Sequence, residues 1–215
     1  MKRKIWCITG ALWMACILFT VLLTCVNVQP IGPQESAVGF ANLNGWMFDR
    51  VGVHRFWYHL TDWLGLVPIA FALGFALVGL WQWIRRRRIR RVDSSILVLG
   101  GFYLLVMGCY LFFEQVVINY RPVLMDGNLE ASYPSSHTVM VLCLMSTAVM
   151  EFRALCPHRK GLCRCIDILA VLVVGITVVG RFLSGVHWFT DIVGGILLSA
   201  AWISLYIGAQ TRVCL

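Results

Sequence analysis

Charge is scarce in this sequence. Asp, Glu, Lys and Arg make up 13% of its 215 residues, while 60% are apolar. A soluble domain carries about 25% charged and roughly 45–50% apolar residues, so that class is excluded. A disordered chain is excluded as well, because it is poor in apolar residues. Internal repeats are absent, and the only biased tract is a short arginine run. A mean hydropathy of +0.80 leaves one membrane domain crossed several times by apolar helices.

A transmembrane helix needs about 20 mostly apolar residues. Six stretches qualify as spans: 5–26, 63–83, 94–117, 137–150 with an extension past Phe152, 166–183 and 191–210. The first follows Met1-Lys2-Arg3-Lys4. It is longer than a signal-peptide core and has no clear small-residue cleavage site, so it is expected to be retained. Residues 27–62 are too polar to span, and their aromatic residues suit a membrane interface. The expected fold is therefore all-α: an integral-membrane six-helix bundle with both termini cytoplasmic. Residues 1–62 give the first span and an extracytoplasmic interfacial segment. Residues 63–215 give a five-span core.

The basic residues test this layout. With the N-terminus inside, the inner segments hold 14 of the 18 Lys and Arg residues, leaving only Arg50, Arg55, Arg121 and Arg181 outside. That asymmetry is the positive-inside pattern. The net charge of +8 then reflects topology and attraction to anionic membrane lipids, not nucleic acid. The outer loops proper contain no cysteine. Cys7, Cys16, Cys109 and Cys143 fall in spans, Cys156, Cys163 and Cys165 in or beside an inner loop, and Cys214 in the tail. Only Cys25 lies near an outer span end, so a disulfide-stapled scaffold is excluded and free thiols are expected. Cys156, His158, Cys163 and Cys165 match no common zinc spacing.

Polar groups cluster at the outer span ends. Asn119-Tyr120-Arg121-Pro122 follows the third span, Tyr133-Pro134-Ser135-Ser136-His137 opens the fourth, and Gly180-Arg181 with His187 and Asp191 links the fifth and sixth. Arginine is planar, always charged and multidentate, which suits a phosphate. Two histidines can divide the roles of nucleophile and general acid. His187 and Asp191 are four apart, a spacing that places both on one helix face. Ser135 and Ser136 offer hydroxyls and backbone N–H groups at a helix start, where anions are favoured. Each feature alone has a plainer explanation, such as a snorkelling arginine or a helix cap. Their convergence on one face is what points to a site.

The pattern resembles the type 2 phosphatidic acid phosphatase superfamily, integral-membrane branch, whose soluble relatives include vanadium haloperoxidases. The family's motifs are Lys-x6-Arg-Pro, Pro-Ser-Gly-His and Ser-Arg-x5-His-x3-Asp. Arg121-Pro122, Pro134-Ser135-Ser136-His137 and Arg181…His187…Asp191 match them in order. The resemblance covers roughly residues 94–210. It implies a metal-independent phosphatase without cofactor, in which His187 forms a phosphohistidine, Asp191 orients it and His137 protonates the leaving group. Arg121, Arg181, Ser135 and Ser136 would hold the phosphate oxygens. The implied partners are a lipid phosphate or diphosphate, such as undecaprenyl diphosphate, phosphatidylglycerophosphate or phosphatidate, and the surrounding plasma-membrane lipids.

Three positions depart from the motifs. Glu114 stands where the family has lysine, Ser136 replaces glycine and Gly180 replaces serine. No outer-side lysine exists to replace the one missing at 114, which leaves Arg50 or Arg55 as the residues to reach in. Two alternatives to a hydrolase stay open. One is a lipid phosphotransferase using the same nucleophile, and the other is a lipid-phosphate binder that has lost turnover, for which Glu114 is the main support. A transporter would place its polar groups near the bilayer midplane, whereas here they sit at span ends.

Overall fold

The computed structural model describes residues 2–213, so Cys214 lies outside the described residues. Eight α-helices follow in order: α1 (Lys2–Cys25), α2 (Ala41–Val51), α3 (Arg55–Leu64), α4 (Leu66–Arg86), α5 (Ser94–Gln115), α6 (Ser136–Leu155), α7 (Lys160–Leu183) and α8 (Phe189–Val213). Two short 3-10 turns, at 33–35 and 89–91, lie between them. Six helical stretches are long and apolar enough to cross a membrane. They coincide with the six expected from the sequence, with shifted ends.

The second span shows the largest shift. It was expected to begin at residue 63, but the continuous helical stretch runs from Arg55 to Arg86. Gly65 joins α3 to α4 with dihedrals in the helical region (φ −59°, ψ −21°), which keeps the two helices in one stretch. At 1.5 Å per residue its 32 residues reach about 48 Å, well beyond a hydrocarbon core of about 30 Å. Part of this stretch therefore stands clear of the core, and polar α3 is suited to that position. Residues 27–62 are more than a surface loop: Asn44 and Thr61 are fully buried.

Helices α6 and α8 form the centre. Half of the most apolar stretch of α6 and 56% of that of α8 are buried inside the protein, against 11–22% for the other four spans. Those four direct large apolar residues outward, including Met14, Leu77, Leu104 and Val171. Such a surface is untenable in water, whereas lipid solvates it. α1 packs along α8, with Trp13 edge-on to Trp202 at 4.9 Å, and Phe102 of α5 closes on Tyr206 at 5.0 Å. Where the chain enters α6, Gly194 of α8 leaves room for Tyr133. A Cβ there would lie 2.1 Å from the Tyr133 ring. The Tyr133 hydroxyl also reaches Thr20 of α1 at 2.7 Å, so one aromatic residue ties three elements together.

A second polar cluster holds the opposite end of the bundle. Glu151 of α6 is 1% exposed. Its Oε1 accepts from the Tyr206 hydroxyl and from Gln210 Nε2, the latter at 2.6 Å. Interhelical hydrogen bonds in membrane proteins contribute about 0.6 kcal/mol each, with a maximum near 1.7. Glu151→Ala removes two acceptor contacts and takes the acceptor from the buried Tyr206 hydroxyl. We expect it to destabilise the fold by about 1–2 kcal/mol, read as a lower thermal midpoint in detergent, while Ala at exposed Arg164 leaves the midpoint unchanged.

Candidate functional site

The site lies where five segments meet at one end of the bundle: the 116–135 loop, the start of α6, the end of α7 with its following turn, the start of α8, and α3. The loop folds back on itself like a short hairpin. Tyr120 pairs with Ala131, Met125 with Asn128, and Gly127 takes the turn at φ +82°. This brings Asn119, Arg121 and Ser132 to the mouth of α8. Asp191 occupies the third position of α8, and its Oδ2 accepts the Trp188 backbone N–H at 2.9 Å. A carboxylate reaching back in this way is half of a capping box and sits favourably at a helix N-terminus.

Asp191 is fully buried, as is all but 4% of His187. Their direct separation, Nδ1 to Oδ2, is 3.9 Å. Ser132 fills the gap: its hydroxyl donates to Asp191 Oδ2 and accepts from His187 Nδ1 at 3.1 Å. Nδ1 also faces the Ser132 carbonyl at 3.2 Å. These acceptors assign the proton to Nδ1 and leave a lone pair on Nε2. Asn119 Nδ2 donates to the other Asp191 oxygen at 3.3 Å. Burial, followed by the positive charges of Arg121, Arg181 and His137, holds His187 well below its ordinary value of 6.5. The imidazole is therefore neutral at physiological pH.

Arg121 NH1 lies 3.5 Å from both His187 Nε2 and the Val186 carbonyl. Its Nε faces Glu130 at 3.1 Å. Arg181 is 1% exposed. It pairs with Asp62 of α3 and stacks over the Tyr58 ring at 5.1 Å. His137 Nε2 meets the same Asp62 oxygen at 3.1 Å. The five expected chemical residues, Arg121, His137, Arg181, His187 and Asp191, are thus brought together.

Ser135 and Ser136 divide. Ser135 is buried, donating its N–H to the Asp191 carbonyl at 3.1 Å and accepting from Thr138 at 3.1 Å. Ser136 opens α6 and lines a cavity of about 670 Å³ together with His137, His187 and Arg121. The remaining wall is mostly apolar, supplied by residues such as Leu73, Val106 and Met140. Glu114 lines the same cavity, as does Tyr110. Arg50 lies over the Trp46 ring at 4.9 Å and Arg55 is exposed. Among the described residues neither makes an ion pair with a site residue, and neither lines the cavity.

Sequence inspection missed Asp62, Ser132 and Glu130. Asp62 had a signal: it lies four residues after Tyr58, on the same face of a helix that leads into a span. Ser132 had none apart from its neighbourhood. Gly180 also has a different meaning in the fold. A Cβ there would lie 2.6 Å from Thr61 Cγ2 and 3.1 Å from the Trp57 ring. The bare α-carbon is the notch that seats α3 against α7.

A family model described as the PAP2 superfamily matches residues 69–213. Among solved structures, the crystal structure of the first transmembrane PAP2 type phosphatidylglycerolphosphate phosphatase from Bacillus subtilis aligns with a TM-score of 0.65. It shares 15% identity, and the alignment covers 95% of this chain and 96% of that one. At that identity the likeness speaks for the fold alone. The search of curated proteins gave no match.

The notch at position 180 yields a prediction against the motif. Gly180→Ser restores the family residue yet forces α3 away from α7. We expect a loss in a turnover assay, with a lower thermal midpoint in detergent. A gain in turnover would show that the hydroxyl matters more than the packing.

Proposed function

This chain belongs to the PAP2 superfamily, and from that premise we propose that it is a metal-independent phosphatase of lipid phosphates or diphosphates acting through a phosphohistidine. One observation carries the proposal: Arg121, His137 and a buried His187 line the polar end of a largely apolar cavity, with Arg181 joined to His137 through Asp62. An amphiphile with an anionic head fits such a space, its chain among Leu73, Val106 and Met107 and its phosphate toward the arginines. Phosphatidylglycerophosphate, phosphatidate and polyprenyl diphosphates such as undecaprenyl diphosphate all have that chemistry.

In this proposal His187 Nε2 attacks phosphorus, forming an N–P bond as the P–O bond to the lipid breaks. His137 gives a proton to the departing oxygen. Water, giving its proton to His137, then attacks phosphorus and releases His187. Ser132 and Asp191 hold the Nδ1 proton and steady the positive charge that develops on the ring, following triad logic. The arginines and the first N–H groups of α6 take the equatorial oxygens. By the distribution of basic residues, the site faces the extracytoplasmic side of the plasma membrane.

A second reading is lipid-phosphate binding without turnover. It is favoured by Glu114, a carboxylate lining the cavity at the position where the family motif has lysine.

The decisive test is phosphate release from a panel of lipid phosphates and diphosphates by the purified protein, with EDTA present. We expect release that persists in EDTA and falls by at least about 10³-fold in His187→Ala, on the scale of losing a nucleophile that works as part of a unit. Arg121→Ala should cost about 10²–10³-fold. Failure of the folded protein to release phosphate from any substrate would leave the binding reading.

The pH profile adds a further check. The pKa of His187 is lowered, so its nucleophilic form persists as pH falls through 6.5. The acid limb of kcat/KM, which reports the free enzyme, is expected clearly below 6.5. An acid limb centred at 6.5 or above would contradict the buried, neutral assignment.

A further inference from the structure

One Asp62 oxygen touches both Arg181 and His137. In the reading above, these residues hold the phosphate and protonate the leaving oxygen. An atom within reach of both lies where an oxygen of the substrate's phosphate head would sit, beside the leaving group. We propose that Asp62 is an internal stand-in for the substrate, its carboxylate occupying a phosphate-oxygen position between Arg181 and His137 until a phosphorylated head displaces it. This rests on the phosphatase reading and deepens it, by naming a residue that sets which anions enter.

The two sides of each ion pair differ in freedom. The Arg181 side chain is 1% exposed and Asp62 38%; Arg121 is 13% exposed and Glu130 47%. The cations are fixed in the protein, and their carboxylate partners have access to solvent. Arg181 is held further by the Tyr58 ring. Asp62 sits near the end of α3, close to the Gly65 junction, where its side chain is partly open to solvent. When it leaves, Arg181 and His137 Nε2 become available together. A monoanionic ligand exchanges one carboxylate for a similar charge and gains little. A dianionic phosphate brings more charge to the same cations, so Asp62 selects for phosphomonoester or diphosphate heads over singly charged phosphodiesters.

The plainer alternative is that Asp62 only staples α3 to α7. The two roles predict opposite effects on anion affinity. A stand-in competes with anions, so its neutralisation strengthens their binding; loss of a staple loosens the site and weakens it.

The experiment measures inhibition by orthophosphate and orthovanadate, with KM and kcat for a lipid phosphate, in wild type, Asp62→Asn and Asp62→Ser. Monodisperse elution and a thermal midpoint in detergent check folding, and the serine variant serves if the asparagine variant does not fold. We expect the inhibition constants and KM to fall about tenfold in a neutral variant. We also expect selectivity for monoesters over a phosphodiester lipid to narrow. Unchanged or weaker anion binding in a folded variant overturns the proposal, even if the wild type turns over normally. If neither wild type nor variant binds anions or releases phosphate, the phosphatase reading fails and the stand-in role falls with it.

Discussion

The burial of one guanidinium governs the geometry of this end of the bundle. Arg181 sits 1% exposed on a helix built to lie in lipid. An unpaired charge in such a place costs several kcal/mol even after relaxation. The fold meets that cost by bringing α3 against α7, which supplies the Asp62 carboxylate and the Tyr58 ring together. The approach requires a helix with no side chain at position 180. Polar α3, extending the second span past the hydrocarbon core, is therefore the counterpart of a buried cation one residue beyond a glycine.

A second set of constraints gathers around the start of α8. Asp191 is fully buried and takes contacts from Ser132, Asn119 and the Trp188 N–H. Asn44 of α2 clasps the adjacent residue, donating to the Thr190 hydroxyl at 2.9 Å and accepting its N–H at 3.2 Å. Gly39 donates its N–H to Asn119 at 3.4 Å. The 27–62 segment and the 116–135 loop are thus tied to one helix terminus. Their order comes from satisfying polar groups buried at the membrane end, together with apolar contacts such as Phe40 on Phe19 and Phe48 on Trp188.

This explains what the sequence made legible. All six spans could be read from composition and length, because a lipid solvent forces backbone hydrogen bonds inside each segment and apolar side chains outside. Arg121, His137, Arg181, His187 and Asp191 could be read from motif order, and the fold gathers them. Asp62 and Ser132 could not be read this way. Each acts through a partner far away in the chain, and neither interrupts a hydrophobic period. Gly180 was read as a lost hydroxyl, because sequence shows what a residue lacks but not what fills the space. The same limit applied to Arg50 and Arg55: they were candidates by sign of charge, yet Arg50 is engaged with Trp46 and Arg55 stays exposed.

The charge balance of the empty site follows from its setting. Two arginines beside an apolar cavity, without anions, would repel each other in a medium that screens poorly. Water alone is a poor remedy where one guanidinium is almost wholly enclosed. Two carboxylates, Asp62 and Glu130, bring the arginines close to neutrality at rest. Both come from flanking segments, where they have room to move. An arriving phosphate then exchanges one anion for another and need not overcome the full cost of entering an apolar enclosure. The balance also explains how the site tolerates Glu114 in place of the motif's lysine. Glu114 lies on the exposed side of α5 at the cavity wall, while the arginines have the Glu130 and Asp62 carboxylates as direct partners. On the proposed reading, such a site discriminates by the net charge of the incoming head, and its affinity for phosphate is set as much by the carboxylates that must yield as by the cations that receive it.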